Sequence, residues 1–187
     1  EKGINQLKET ARNAFYCRTE AQYYLMRILS SERKDRAESM QVGRYLYEQY
    51  PDNSFFHRYY ARLLYQSGKY GKAKALSLTI LQKIDSGKTG YGANSGRYAG
   101  FFLGHIYEMQ RDVEQSKKYY LLGMEYAEEI GAQEMGYYLY SLLHLGNIAE
   151  RQEDVAGAKT YYRQVKKYAS RSHSAHKSAR KKLLELR

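Results

Sequence analysis

The sequence predicts an all-α chain of about four helical hairpins with a flanking helix at each end. Three observations carry this. The chain of 187 residues holds a single proline, Pro51, so helices can run long without a ring that removes a backbone donor. Apolar residues recur at helical spacing, as in Tyr98, Phe101, Phe102, Ile106 and Met109. The stretch LGHIYEMQRDVEQSKKYY, Leu103 to Tyr120, returns as LGNIAERQEDVAGAKTYY, Leu145 to Tyr162, with ten identities in eighteen positions at an offset of 42. A repeat of that length is the signature of stacked helical hairpins.

Taken in order, Ile4, Leu7, Ala11 and Phe15 make one face of an amphipathic helix within 1–18, a flanking helix or the remnant of an earlier repeat. Four repeats follow at 20–53, 54–96, 97–138 and 139–172. In the third, Gln110-Arg111-Asp112 is the turn and Val113 opens a second helix carrying Tyr119, Tyr120 and Met124. Asp112 and its counterpart Asp154 stand where an N-cap accepts from free helix N–H groups. Gly104 and Gly146 fall inside helices, where glycine costs about 1 kcal/mol relative to alanine. That cost implies a close approach by the partner helix. The last segment, 173–187, is a basic helix with Ala175, Ala179, Leu183 and Leu184 on its apolar face, and it serves as a cap with a polar outer side.

These residues resemble the tetratricopeptide repeat (TPR) family, whose unit is a helix-turn-helix with fixed small and large positions. The third copy offers Leu103-Gly104, Ser116 and Tyr120 at those positions, and the fourth Leu145-Gly146, Ala158 and Tyr162. The second has Tyr60-Ala61, the turn Gly68-Lys69-Tyr70 and Ala73, but Ser77 replaces the aromatic. The first, Tyr23 to Pro51, departs further: Arg27 takes the place of the glycine and Gly43 that of the aromatic. The spacings of 43 and 42 residues between the last three copies resemble the longer repeats of kinesin light chains and related adaptors. The resemblance covers roughly residues 20 to 170 and implies a right-handed α-α superhelix. Its motif positions are packing positions, so they specify fold more than function.

The resemblance further implies a concave groove lined by the first helices. Carried over, the lining is Tyr24 and Ile28; Phe55, Arg58, Arg62 and Tyr65; Tyr98, Phe101, His105 and Glu108; and Tyr140, Leu143, Asn147 and Glu150. Tyrosine and arginine supply much of the binding energy at protein interfaces, so a peptide or helix, carrying an acidic group where Arg58 and Arg62 stand, is the expected ligand. The clamp with which some family members hold chaperone tails is incomplete here, because Phe102, Tyr140 and His144 occupy three of its places. Self-association is a further expectation, and a groove filled by a neighbouring copy would defeat the peptide reading.

The formal net charge of +11 is concentrated at one end. From Thr160 to Arg187 nine Lys or Arg face one acid, Glu185. Lys177, Arg180, Lys181 and Lys182 are the candidate phosphate-binding residues, with nucleic acid or an anionic surface as the alternative partner to protein. No constellation for catalysis, metal or cofactor emerges: His105 and His144 lack carboxylate or thiolate support at ligand spacing, and His173 and His176 sit in a basic segment. The single Cys17 allows no intrachain disulfide and is expected to be a small buried side chain.

In Ser86 to Gly96, SGKTGYGANSG, the letters Gly-Lys-Thr suggest a phosphate loop, but such a loop needs a glycine where Gln82 stands. The segment is expected instead to be a mobile connector between hairpins. No apolar run approaches the roughly 20 residues of a membrane span. Nothing at Glu1 reads as a signal peptide, which leaves a cytoplasmic location, or a periplasmic one after removal of a leader.

Overall fold

The computed structural model describes residues 2–14, 17–31 and 36–186, which form ten α-helices and no strand. The chain folds as two compact units, Glu1–Leu76 and Ser77–Arg187.

The first unit holds α1 (Lys2–Asn13), α2 (Arg18–Ser31), α3 (Arg36–Gln49), α4 (Ser54–Gln66) and the start of α5 (Tyr70–Asp85). Ile4, Leu7 and Ala11 of α1 pack on Ala21, Leu25 and Leu29 of α2, as the amphipathic pattern requires. Phe15, expected on the same face, lies outside the described residues. Lys8 adds a 2.6 Å ion pair to Glu38 on α3. Hairpin one is α2 and α3, and α4 with α5 is the second repeat in chain order, named hairpin two for its place in the sequence. Pro51 follows α3, and Asn53 caps α4 by accepting from the Phe55 and Phe56 amides at 3.0 and 3.2 Å. The missing aromatic of hairpin one has a physical reason. A Cβ on Gly43 would come within 2.6 Å of Leu63 Cδ1, so the space is taken by a side chain from α4, in a core with Met26, Leu46, Phe56 and Tyr59.

The second unit holds the rest of α5, then α6 (Ala93–Met109) and α7 (Val113–Glu129) as hairpin three. Hairpin four follows as α8 (Gly136–Arg151) and α9 (Val155–Tyr168), and α10 (Ser174–Glu185) comes last. The helix glycines meet the second helix of their own hairpin: a Cβ on Gly104 would lie 2.6 Å from the Tyr120 ring, and Gly146 stands in the same relation to Tyr162. Both rings are fully buried. Nearer the start of hairpin three, Gly100 and Gly123 bring the backbones of α6 and α7 together. Hairpin four has buried Leu142 and Val165 at the corresponding places.

The caps fall as expected, with Asp112 accepting from the Gln115 amide at 3.1 Å and Asp154 from Gly157 at 2.8 Å. The residues before them, Arg111 and Glu153, take positive φ values of 62° and 61°, where hairpin two uses Gly68 at 71°. The stretch Leu76 to Ile84 is helix, not strand, and residues 86–92 connect it to α6. The Gly87 and Lys88 amides donate back to Ile84 and Lys83 of α5, each at 2.9 Å. They close a helix C-terminus with donors that a phosphate loop would aim at its ligand.

Two expectations are corrected. Cys17 is exposed, standing just ahead of α2 and outside the cluster of Ala11, Ala21, Leu25 and Leu29. Leu184 is 51% exposed, since only Ala175 and Ala179 of α10 are buried and Leu184 shares the face of Lys177, Arg180 and Lys181.

Candidate functional site

In the first unit the faces of α2 and α4 form a run of rings. Tyr24 is exposed and meets Tyr23 edge-on at 5.0 Å; Tyr23 meets Phe55 at 5.1 Å; Phe55 stacks on Tyr59 at 5.6 Å. Arginines lie over this run: Arg27 at 5.5 Å from the Tyr23 ring, Arg58 at 5.2 Å from Phe55 and Arg62 at 5.2 Å from Tyr59. One helical turn separates Arg58 from Arg62, which puts both residues on the same face of α4. Each ring holds its cation in place by attraction to the π face. Tyr24, Arg58 and Arg62 thus belong to one surface. Tyr65 meets Tyr70 at 5.8 Å across the turn after α4.

The second unit arranges its predicted residues around two acids. Glu108 on α6 accepts from the Tyr120 hydroxyl at 2.9 Å and from Arg151 at 2.7 Å, and His144 Nδ1 lies 2.8 Å from it. Burial pushes the carboxyl up, but the bonds from His144, Arg151 and Tyr120 outweigh it and hold it down at about 2. Forty-two residues on, Glu150 of α8 accepts from Tyr162 at 2.7 Å and from Lys182 at 2.9 Å. Burial opposes its ionisation too, and the Tyr162 and Lys182 bonds lower its pKa.

Around this frame Phe101 is buried under Tyr137, with centroids 4.7 Å apart, and it stacks on His105. His105 is half-buried 5.3 Å from the His144 ring, and burial, followed by the His144 charge, lowers its pKa. Tyr98 packs on Tyr137 with Arg97 over its ring at 4.5 Å. Tyr140 is exposed, its hydroxyl 2.8 Å from Ser174 at the start of α10. Asn147 accepts from Tyr162 at 2.8 Å. Tyr98 and His105 therefore present partial surface, Phe101 is their floor, and Asn147 serves the hairpin. Tyr23, Tyr137 and Arg151 complete these surfaces without having been singled out by sequence. The offset of 42 that relates Glu108 to Glu150 was the signal available for the acid frame.

The third feature is basic. Lys166 and Arg171 from the end of α9 and its following turn, with Lys177, Arg180 and Lys181 of α10, line a hollow of about 970 Å³ floored by Ala169 and Leu184. Lys182 points elsewhere, to Glu150. Among the described residues no group of three or more His, Cys, Asp or Glu is placed to hold a metal ion, and no helix is long and apolar enough to cross a membrane.

Over 99% of its length the chain superposes on 80% of BtubC (BKLC) from P. vanneervenii, with a TM-score of 0.75 and 15% sequence identity. The chain has an all-α helical-repeat fold. No family model matches the sequence, and no curated protein does. At that identity the likeness concerns architecture alone.

Proposed function

We propose that this is a TPR-type, non-catalytic interaction scaffold whose first-helix faces dock a peptide or helix of a partner protein. The observation that carries the reading is the pair Arg58 and Arg62, held over Phe55 and Tyr59 beside the exposed Tyr24. Two cations on an aromatic bed offer a carboxylate both charge and a dry flank, and a neighbouring tyrosine offers apolar contact with little conformational freedom to lose. Tyr98, Phe101, His105, Tyr140 and Asn147 belong to the corresponding face of hairpins three and four. There Tyr98, His105 and Tyr140 supply contact area, and Phe101 and Asn147 support them from below.

The test is a comparison of partners captured by the wild-type chain and by Arg58→Glu/Arg62→Glu/Tyr24→Ala, with helicity checked by circular dichroism. Partners lost from the variant at unchanged helicity support the reading, and an identical set of partners overturns it. The second reading, an anionic polymer or surface held at the C-terminal end, draws on the exposure of Lys177, Arg180 and Lys181. Lys182 contributes less to it, being bonded to Glu150.

A further inference from the structure

The last helix does more than close the stack. In hairpin three, α6 is covered by its own second helix at Gly100, against Gly123, and at Gly104, against Tyr120. In hairpin four the equivalent positions are Leu142, which is buried, and Gly146, which meets Tyr162 of α9. Now α10 stands to α8 as α8 stands to α6. His144 of α8 reaches Glu108 of α6 at 2.8 Å, and Lys182 of α10 reaches Glu150 of α8 at 2.9 Å, with Glu108 and Glu150 at equivalent places in their repeats. Setting Lys182 on His144 brings Arg180 onto Leu142 and Leu184 onto Gly146. These are the two positions where a first helix meets its second.

By this register α10 is the first helix of a fifth hairpin, and the hollow between α9 and α10 lies where the second helix of that hairpin would pack. The hollow's floor is apolar at Ala169 and Leu184, the latter 51% exposed, and its walls carry five cations. We infer that this hollow binds an amphipathic helix with an acidic flank, contributed by a partner protein: the apolar side covers Leu184 while carboxylates meet Lys166, Arg171, Lys177, Arg180 and Lys181. A phosphate polymer satisfies the charge but leaves Leu184 wet, and among the described residues His176 is the one ring lining the hollow that could stack a base. A helix-in-groove mode satisfies both features. The inference goes beyond the Arg58 and Arg62 surface, which lies in the other unit.

The experiment measures fluorescence anisotropy of a labelled 14-residue peptide, the length of α9, with leucines on one helical face and glutamates on the other. It is titrated with the full chain, alongside a scrambled peptide of the same composition and a single-stranded oligonucleotide. Expected are saturable binding of the amphipathic peptide, and a loss of about tenfold in affinity on Lys177→Glu/Arg180→Glu and again on Leu184→Asp. All three residues are exposed, and circular dichroism confirms that the variants keep their helices. Arg58→Glu/Arg62→Glu leaves the peptide's affinity unchanged, so failure of the first-unit surface is read separately. No binding, equal binding of the scrambled peptide, insensitivity to Leu184→Asp, or tighter binding of the oligonucleotide each overturns the inference.

Discussion

The Tyr120 hydroxyl crosses its own hairpin to donate to Glu108 at 2.9 Å, while its ring lies fully buried against Gly104. Tyr162 repeats the arrangement with Glu150 and Gly146. Tyr120→Phe keeps the ring and removes one bond to a charged acceptor, at a cost of about 1 to 2 kcal/mol in urea unfolding. Glu108 keeps its bonds to His144 and Arg151, so the protein remains folded.

Gly104→Ala separates helix propensity from packing. Propensity alone favours alanine by about 1 kcal/mol, but the new methyl would lie 2.6 Å from a buried ring that has no room to swing. A net destabilisation of about 1 to 3 kcal/mol is expected, lowering the thermal midpoint. Gly71→Ala in α5, where no atom lies within 4 Å of the new Cβ, moves the midpoint the other way.

Acid should weaken the link between α6 and α8. The Glu108 carboxyl is held near 2 in the folded protein against an ordinary 4.5, so its stabilisation is complete above 4.5 and is lost as pH falls from there towards 2. The exposure of Arg151 screens part of it, leaving on the order of 2 kcal/mol. His105, with its pKa lowered by burial, contributes in the same direction, beginning near its ordinary 6.5. Urea unfolding at pH 7 and pH 3 checks this: the loss between the two should be smaller in Glu108→Gln than in the wild type.

Arg111 and Glu153 hold left-handed backbone that glycine adopts without strain, as Gly68 does in hairpin two. Arg111→Gly and Glu153→Gly should each raise stability by about 0.5 to 1 kcal/mol, because relief of a strain of about 1 to 2 kcal/mol exceeds the extra freedom of glycine in the unfolded chain. Differential scanning calorimetry would register this as a higher midpoint.

What was legible in the sequence was local or periodic. Asp112 and Asp154 cap the helices that follow them by accepting from amides three residues on, the turns sit between them and the preceding helices, and the offset of 42 aligns Gly104 with Gly146. What was hidden depended on partners remote in sequence. Nothing near Gly43 announces that Leu63 fills the space beside it, and nothing near Phe101 announces that Tyr137 covers it. The role of α10 was obscured for the same reason: its four basic residues suggest one charged face, yet Lys182 turns to Glu150 while Lys177, Arg180 and Lys181 line the hollow with Leu184. The cation–ring pairs of α4 needed α2 beside them before they read as one surface.

The meeting of Gly100 with Gly123 bears on how far these repeats are interchangeable. Hairpins three and four match closely in letters, yet one closes on bare backbone and the other on Leu142 and Val165. A graft of α8 opposite α7, or of α6 opposite α9, would therefore give a wedge in the first case and a void in the second. Only whole hairpins can be shuffled or duplicated, so the unit of modular engineering in this protein is the pair of helices and never the single helix.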